Sequence, residues 1–264
     1  MRKEVSFQNS KISYETSGAG VPLILLHGYL MSSQIWKGFM ELLVLKYQVI
    51  AIDLPGHGSS GEFPPVHSMD LMAEAVEAVM QQENIDKGNI LGHSMGGYVG
   101  LAFLEHYPHR IHKLILLNTY PYEDTNQKIA IRNRIIRLLK KEKKEFLLRQ
   151  LLGELISPED DEKYRETRES ALKYIYSQSI ESLIATIKGM KLRPDRSYLL
   201  HKPSMPVKWI LSISDQQLDT QKITDRAKEI SIISPEIIEG GHMSFLEDPY
   251  QVFRITHGFI NEMI

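Results

Sequence analysis

The chain has 264 residues, of which 31 are Lys or Arg, 33 are Asp or Glu and none is Cys, for a formal charge of −2. That length can hold one large domain or two small ones around a sizeable core, and the absence of cysteine excludes disulfides, thiol nucleophiles and thiolate metal sites. No apolar leader segment opens the chain and no run approaches the roughly 18 apolar residues of a membrane span, so the expectation is a soluble, cytoplasmic protein without stable membrane insertion.

Residues 5–7 and 12–15 alternate as an edge hairpin does. Short apolar runs at 23–26, 49–52, 89–91 and 114–117 read as strands, and helical patterns lie between them at 34–45, 68–82 and 95–107, the last stopped by Pro108. Strands alternating with helices in this way are the signature of a parallel sheet covered by helices on both faces. Residues 206–212 read as a further buried strand, followed closely by Asp215. Residues 232–238 read as another, despite Pro235, and run into Gly240-Gly241-His242.

The segment 119–206, far longer than an ordinary crossover, carries apolar residues at helical spacing. Its runs are Ile131, Ile135, Leu138 and Leu139, then Phe146, Leu147, Leu151 and Leu152, then Ala171, Leu172 and Ile175, then Leu183, Ile184 and Ile187. Three or four amphipathic helices are expected, dividing the chain into a core (1–118 and 207–264) and a helical insertion (119–206). The insertion holds 18 basic against 13 acidic residues, the remainder 13 against 20. Residues 128–144 alone contain eight basic and one acidic. They read as the solvated face of a helix whose Ile131, Ile135 and Leu138 stripe packs inward, with attraction of an anionic substrate or membrane surface as the rival reading. No pattern points to nucleic acid, and the glycines are not spaced to cradle phosphate.

Gly92-His93-Ser94-Met95-Gly96 follows the apolar pair Ile90-Leu91 and opens a helical pattern. A strand turning sharply into a helix strains the residue at the turn, and small residues two before and two after let strand and helix nearly touch. Attack by a serine hydroxyl needs a base, an acid to orient the base, and donors for the developing oxyanion. Asp215 and His242 each sit just past the carboxyl end of a predicted strand, where open α/β sheets build their sites. The expected oxyanion donors are the N–H groups of Tyr29, after the glycine at 28, and of Met95, at the positive end of the helix that follows Ser94.

Taken together, Leu26-His27-Gly28, Asp53-Leu54-Pro55-Gly56-His57-Gly58-Ser59-Ser60, Gly92 to Gly97, the strand and loop from Pro206 to Asp215, and Gly241-His242 followed by Leu246-Glu247-Asp248-Pro249 resemble the α/β-hydrolase-fold superfamily, in its serine-nucleophile branch with a helical cap. The resemblance implies eight strands with the second antiparallel, no cofactor or metal, and hydrolysis of a small to medium carboxylic ester through an acyl-enzyme on Ser94. Relatives with the same serine, aspartate and histidine also cleave carbon–carbon bonds, catalyse eliminations or carry out perhydrolysis, and some are non-catalytic ligand receptors. Serine at the elbow argues against the dehalogenase and epoxide-hydrolase branches, whose nucleophile is a carboxylate. Some relatives place the acid after the sixth strand, which nominates Asp124; Asp219 lies one turn beyond Asp215. Relatives often carry glycine where this chain has Ser212. In the same frame His27, His57 and His93 are structural and Asp53 organises its own loop. His106, His109 and His112 read as surface histidines, since Pro108 breaks any shared helix face.

Overall fold

The computed structural model describes residues 1–63, 65–141, 144–153, 155 and 165–262. Eight strands form one sheet: β1 (Arg2–Phe7), β2 (Ser10–Ser17), β3 (Val21–Leu26), β4 (Tyr47–Ile52), β5 (Gly88–His93), β6 (Ile111–Leu117), β7 (Val207–Ser212) and β8 (Glu236–Ile238). They lie in the order β1-β2-β4-β3-β5-β6-β7-β8, with β2 antiparallel to both neighbours and every other pair parallel. The central strands are buried on both faces, which is why their sequences are continuous apolar runs; β1, at the edge, alternates exposed and half-buried side chains.

Among the described residues the α-helices are α1 (Lys37–Leu43), α2 (Met69–Gln82), α3 (Met95–His106), α4 (Asn126–Lys140), α5 (Lys144–Gly153), α6 (Arg165–Ser177), α7 (Ile180–Leu192), α8 (Thr220–Glu229), α9 (Ser244–Glu247) and α10 (Pro249–Asn261). α2 packs with α3 on one face of the sheet, and α1 with α10 on the other. Side-chain caps fix where several of them start. Ser68, Thr125, Ser179, Asp219 and Asp248 each accept a backbone N–H from the first turn of α2, α4, α7, α8 and α10. Among the described residues no helix is long and apolar enough to cross a membrane.

Two sequence expectations are corrected. The predicted strand 232–238 is three residues long, because the Ile232 N–H bonds to Ala227 O, the Ile233 N–H bonds to Leu200 O, and Pro235 has no N–H to give. The predicted helix 34–45 is split into a 3₁₀ turn over Ser33–Trp36 and the short α1. It ends early because the chain must turn back into β4, through a bond from Lys46 N–H to Leu43 O that leaves Leu45 exposed. α8 and α10 were not anticipated.

Strand register aligns the carboxyl ends. Leu26 pairs with both Ile52 and Gly92, His93 with Leu117, Leu117 with Ile210, and Ser212 with Ile238. Whatever follows these residues therefore emerges along one edge. α4 to α7 come from the 119–206 segment, and two of them bond to the loops of that edge: Tyr174 on α6 accepts the Gly58 N–H and donates to Met31 O, at 2.6 and 3.0 Å, and Ala185 on α7 accepts the His67 N–H at 3.0 Å. The side chains of Phe146 and Leu152 lie outside the described residues.

His67 makes this junction sensitive to acid. Its burial lowers its pKa to about 4, against about 6.5 in an unfolded chain. Above about pH 6.5 both states are neutral and stability is full; below it the unfolded chain takes up a proton that the folded one refuses, so stability falls as pH falls toward 4. His27, His57 and His93 are also pushed down, chiefly by burial, and act in the same direction. The melting temperature should therefore drop between neutral pH and about pH 5, less steeply in His67→Asn, as calorimetry across that range would read.

Candidate active site

Ser94 stands between β5 and α3 with φ 52° and ψ −116°, a left-handed conformation that costs a residue with a side chain about 1–3 kcal/mol. The surrounding glycines are sterically required. A Cβ on Gly92 would fall onto the carbonyl of Gly96, one on Gly96 onto the carbonyl of Leu26, and one on Gly97 onto the side chain of Thr119. The turn is also tied down by hydrogen bonds. Ser94 N–H donates to Leu117 O at 3.0 Å, and Ser94 O accepts from Thr119 Oγ1 at 2.7 Å and from Gly97 N–H at 3.0 Å.

Those bonds aim a donor. In a trans peptide the carbonyl and the following N–H point in opposite directions, so turning Ser94 O toward Thr119 turns Met95 N–H the other way. The same logic holds across the sheet. His27 Nε2 accepts the Leu54 N–H at 3.1 Å, so Nδ1 carries the proton and donates to Gly28 O at 2.8 Å, which directs Tyr29 N–H away from His27. Neither Tyr29 N–H nor Met95 N–H has an acceptor among the described residues, and Met95 is the first residue of its helix, where no intrahelical acceptor exists. The side chain of Met95 is fully buried.

His242 follows the Gly240-Gly241 turn after β8, and Asp215 follows β7. Their side chains meet: His242 Nδ1 donates to Asp215 Oδ2 at 2.8 Å. The other carboxylate oxygen accepts the N–H groups of Gln217 and Leu218 at 2.8 and 3.1 Å. Because a carboxylate can only accept, Nδ1 holds the imidazole proton and Nε2 is left as the basic atom. Ser94, half-buried, and His242 line the same cavity of about 140 Å³, without a hydrogen bond between their side chains. α4 and α7 supply its far wall, including Ile131, Ile135, Ile187 and Met190.

Two residues that sequence reasoning gave no role hold this geometry. Asn118, at the end of β6 with φ 45°, donates to Gly241 O and His242 O at 2.9 Å and accepts from Ser212 N–H and Ser212 Oγ at 3.0 and 3.1 Å. It joins the Asp215 strand to the His242 loop, and the serine where relatives often have glycine is one of its donors. Glu247 accepts the Gly241 N–H at 2.5 Å from the other side. His93 donates from Nε2 to His242 O at 2.8 Å; burial and then the neighbouring His242 hold its pKa well below the ordinary histidine range.

The rival acids are engaged elsewhere. Asp124 is buried between Arg132, which donates through Nε, and Arg193, whose Nη1 lies at 2.7 Å. Burial pushes its pKa up, but the two guanidinium groups outweigh that and hold it below the usual carboxylate range. Asp219 caps α8 through the Lys222 N–H. Asp53 accepts from Ser33 N–H, Ser59 N–H and Arg2. The expected basic face of α4 is corrected in part: Arg134, Arg137 and Lys140 are exposed, whereas Arg132 is buried because Asp124 pairs with it, and Ile131 is 46% exposed where it lines the cavity. Asp70, Glu105 and His106 come close enough to share a metal ion, but Arg196 already bridges the two carboxylates.

A family model described as alpha/beta hydrolase fold matches residues 21–140. Among solved structures, a thermophilic esterase from Thermogutta terrifontis superposes with a TM-score of 0.88 at 26% identity, covering 98% of each chain. A protein of Mycobacterium phage D29 described as a putative non-heme haloperoxidase is 23% identical over 250 residues, 90% of this chain and 87% of that one. The pimeloyl-(acyl-carrier protein) methyl ester esterase of Aeromonas hydrophila is 35% identical over 113 residues, a match that spans 42% of this chain and 42% of that enzyme.

Proposed function

Because the chain belongs to the α/β-hydrolase superfamily, we propose that it is a serine hydrolase of small to medium carboxylic esters, working through an acyl-enzyme on Ser94. The observation that carries this reading is the convergence of Ser94 and an imidazole held by Asp215 on one cavity, beside two backbone N–H groups that have no acceptor among the described residues. Ser94 Oγ attacks the acyl carbon while His242 Nε2 takes its proton. Asp215 fixes the tautomer and stabilises the imidazolium. The oxyanion accepts from Tyr29 N–H and Met95 N–H, with the positive end of α3 behind the second donor. The tetrahedral adduct then collapses, the ester C–O bond breaks, and His242 returns its proton to the departing alcohol. Water, deprotonated by the same nitrogen, releases the acid. No step calls on a cofactor.

A fluorophosphonate should label Ser94 alone, and a panel of esters of increasing acyl length should be turned over; no label and no turnover would remove the reading. The similarity to the haloperoxidase over 90% of the chain favours one second reading, in which hydrogen peroxide replaces water at the acyl-enzyme and a peracid leaves. Peracid formation from a carboxylic ester and peroxide, compared with hydrolysis, separates the two.

Thr119 aims one of the two donors, so its hydroxyl should matter to rate more than to binding. Thr119→Val keeps the volume packed against Gly97 and removes the bond to Ser94 O. The expected result is a fall in kcat of about tenfold with KM little changed, as the Met95 N–H that the lost bond held in place meets the oxyanion less squarely.

A further inference from the structure

The cavity wall contains two cations, Lys128 and Arg132, and among the described residues no Asp or Glu. Arg132 shares the single carboxylate of Asp124 with Arg193, so this buried cluster keeps one excess positive charge. Arg193 donates to that carboxylate, to Met190 O and to Tyr122 O through its two Nη atoms and lies 3.9 Å from the Tyr98 ring, while its buried Nε has no partner among the described residues. Arg132 gives Nε and Nη2 to the Asp124 carboxylate, and its Nη1 points at Met190 Sδ, 3.5 Å away, a thioether that is only a weak acceptor. Lys128 lies four residues earlier on α4, on the same face of the helix. Its ammonium has no ion pair among the described residues, and it lines both the cavity and the adjoining groove that holds Tyr120, Tyr122, Glu123 and Asp219, which places it where the carboxylate-free cavity meets that groove. Half-buried, and with no carboxylate facing it from the cavity lining, this ammonium is available to pair with an anionic group that enters the cavity.

We propose that the substrate is an ester carrying a carboxylate at the end remote from the reacting carbonyl, with Lys128 as its counter-ion, Arg132 Nη1 as a second donor, and an apolar chain lying along Ile131, Ile135 and Ile187. This rests on the acyl-enzyme reading above. One free ammonium and one spare guanidinium N–H match a monoanionic carboxylate, and α4 presents its apolar side chains between them and the rest of the pocket.

The test compares monoethyl suberate with diethyl suberate, the same chain with and without the charge. In Lys128→Met the ratio of kcat/KM for the half-ester to that for the diester should fall about tenfold, the size of one charge-assisted hydrogen bond, whereas Lys128→Arg should hold it within about twofold. Lys128→Glu should reverse the preference toward an ethyl ester ending in an ammonium. A ratio unmoved by both Lys128→Met and Lys128→Glu overturns the subsite. Binding of monoethyl suberate to Ser94→Ala, read by calorimetry with and without Lys128→Met, separates this from failure of the hydrolase reading. A weakening of about tenfold supports the subsite even if no ester is cleaved, and equal binding overturns it whatever the turnover.

Discussion

Ser94→Ala is expected to lower ester turnover by about 10³-fold or more and to abolish fluorophosphonate labelling, while leaving the fold as stable as in the native chain. The two halves of that expectation come from separate features of the elbow. Among the described residues the hydroxyl makes no hydrogen bond to another side chain, so its removal strips out the nucleophile without freeing a buried partner. The backbone, by contrast, is unchanged: alanine inherits φ 52° and the strain that goes with it. Ser94→Gly should accordingly be as inactive as Ser94→Ala but more stable by about 1 kcal/mol, since glycine alone takes that conformation without a Cβ penalty. Turnover in Ser94→Ala within tenfold of the native rate would remove the nucleophile assignment and with it the acyl-enzyme. If Ser94→Gly proved no more stable than Ser94→Ala, the claim that the turn stores strain would fall, leaving the chemistry untouched.

The parts of this molecule that were legible in the sequence are those set by local steric demands or by a long repeating pattern. Gly92 and Gly96 announce the elbow because no other residue fits between Leu26, Ser94 and the start of α3. The central strands announce themselves because a sheet covered on both faces makes unbroken apolar runs. What stayed hidden depends on partners far away in the chain. Arg132 sits in a basic stretch and looks like solvated surface; it is buried only because Asp124, eight residues before it, is also within reach of Arg193. Asn118 is one asparagine after a strand, and its side-chain hydrogen bonds exist only once β7 and the loop after β8 have been laid beside β6. β8 was read too long because Ile232 and Ile233 look like strand residues, and nothing local shows that their N–H groups are taken by α8 and by Leu200.

Asp215→Asn should cost about 10⁴ in kcat, and the contacts around the carboxylate say why so small a change matters so much. Oδ1 accepts two backbone N–H groups, from Gln217 and Leu218. In the variant, the amide must keep its oxygen there, because its NH₂ cannot face two donors. The NH₂ is then left opposite His242 Nδ1, where the native carboxylate oxygen accepts. An N–H facing that nitrogen forces the imidazole into its other tautomer, with the proton on Nε2, and a protonated Nε2 cannot take the proton of Ser94. Asp124→Asn should behave in the opposite way. It removes the negative charge that Arg132 and Arg193 share, so the fold should lose about 3–5 kcal/mol, the cost of uncompensated buried charge, while kcat of the fraction that remains folded changes little. Measuring kcat at saturating ester and urea unfolding on both variants separates the roles. A mild effect on kcat from Asp215→Asn together with a large one from Asp124→Asn would transfer the acid to the end of β6 and reduce Asp215 to a loop-forming residue.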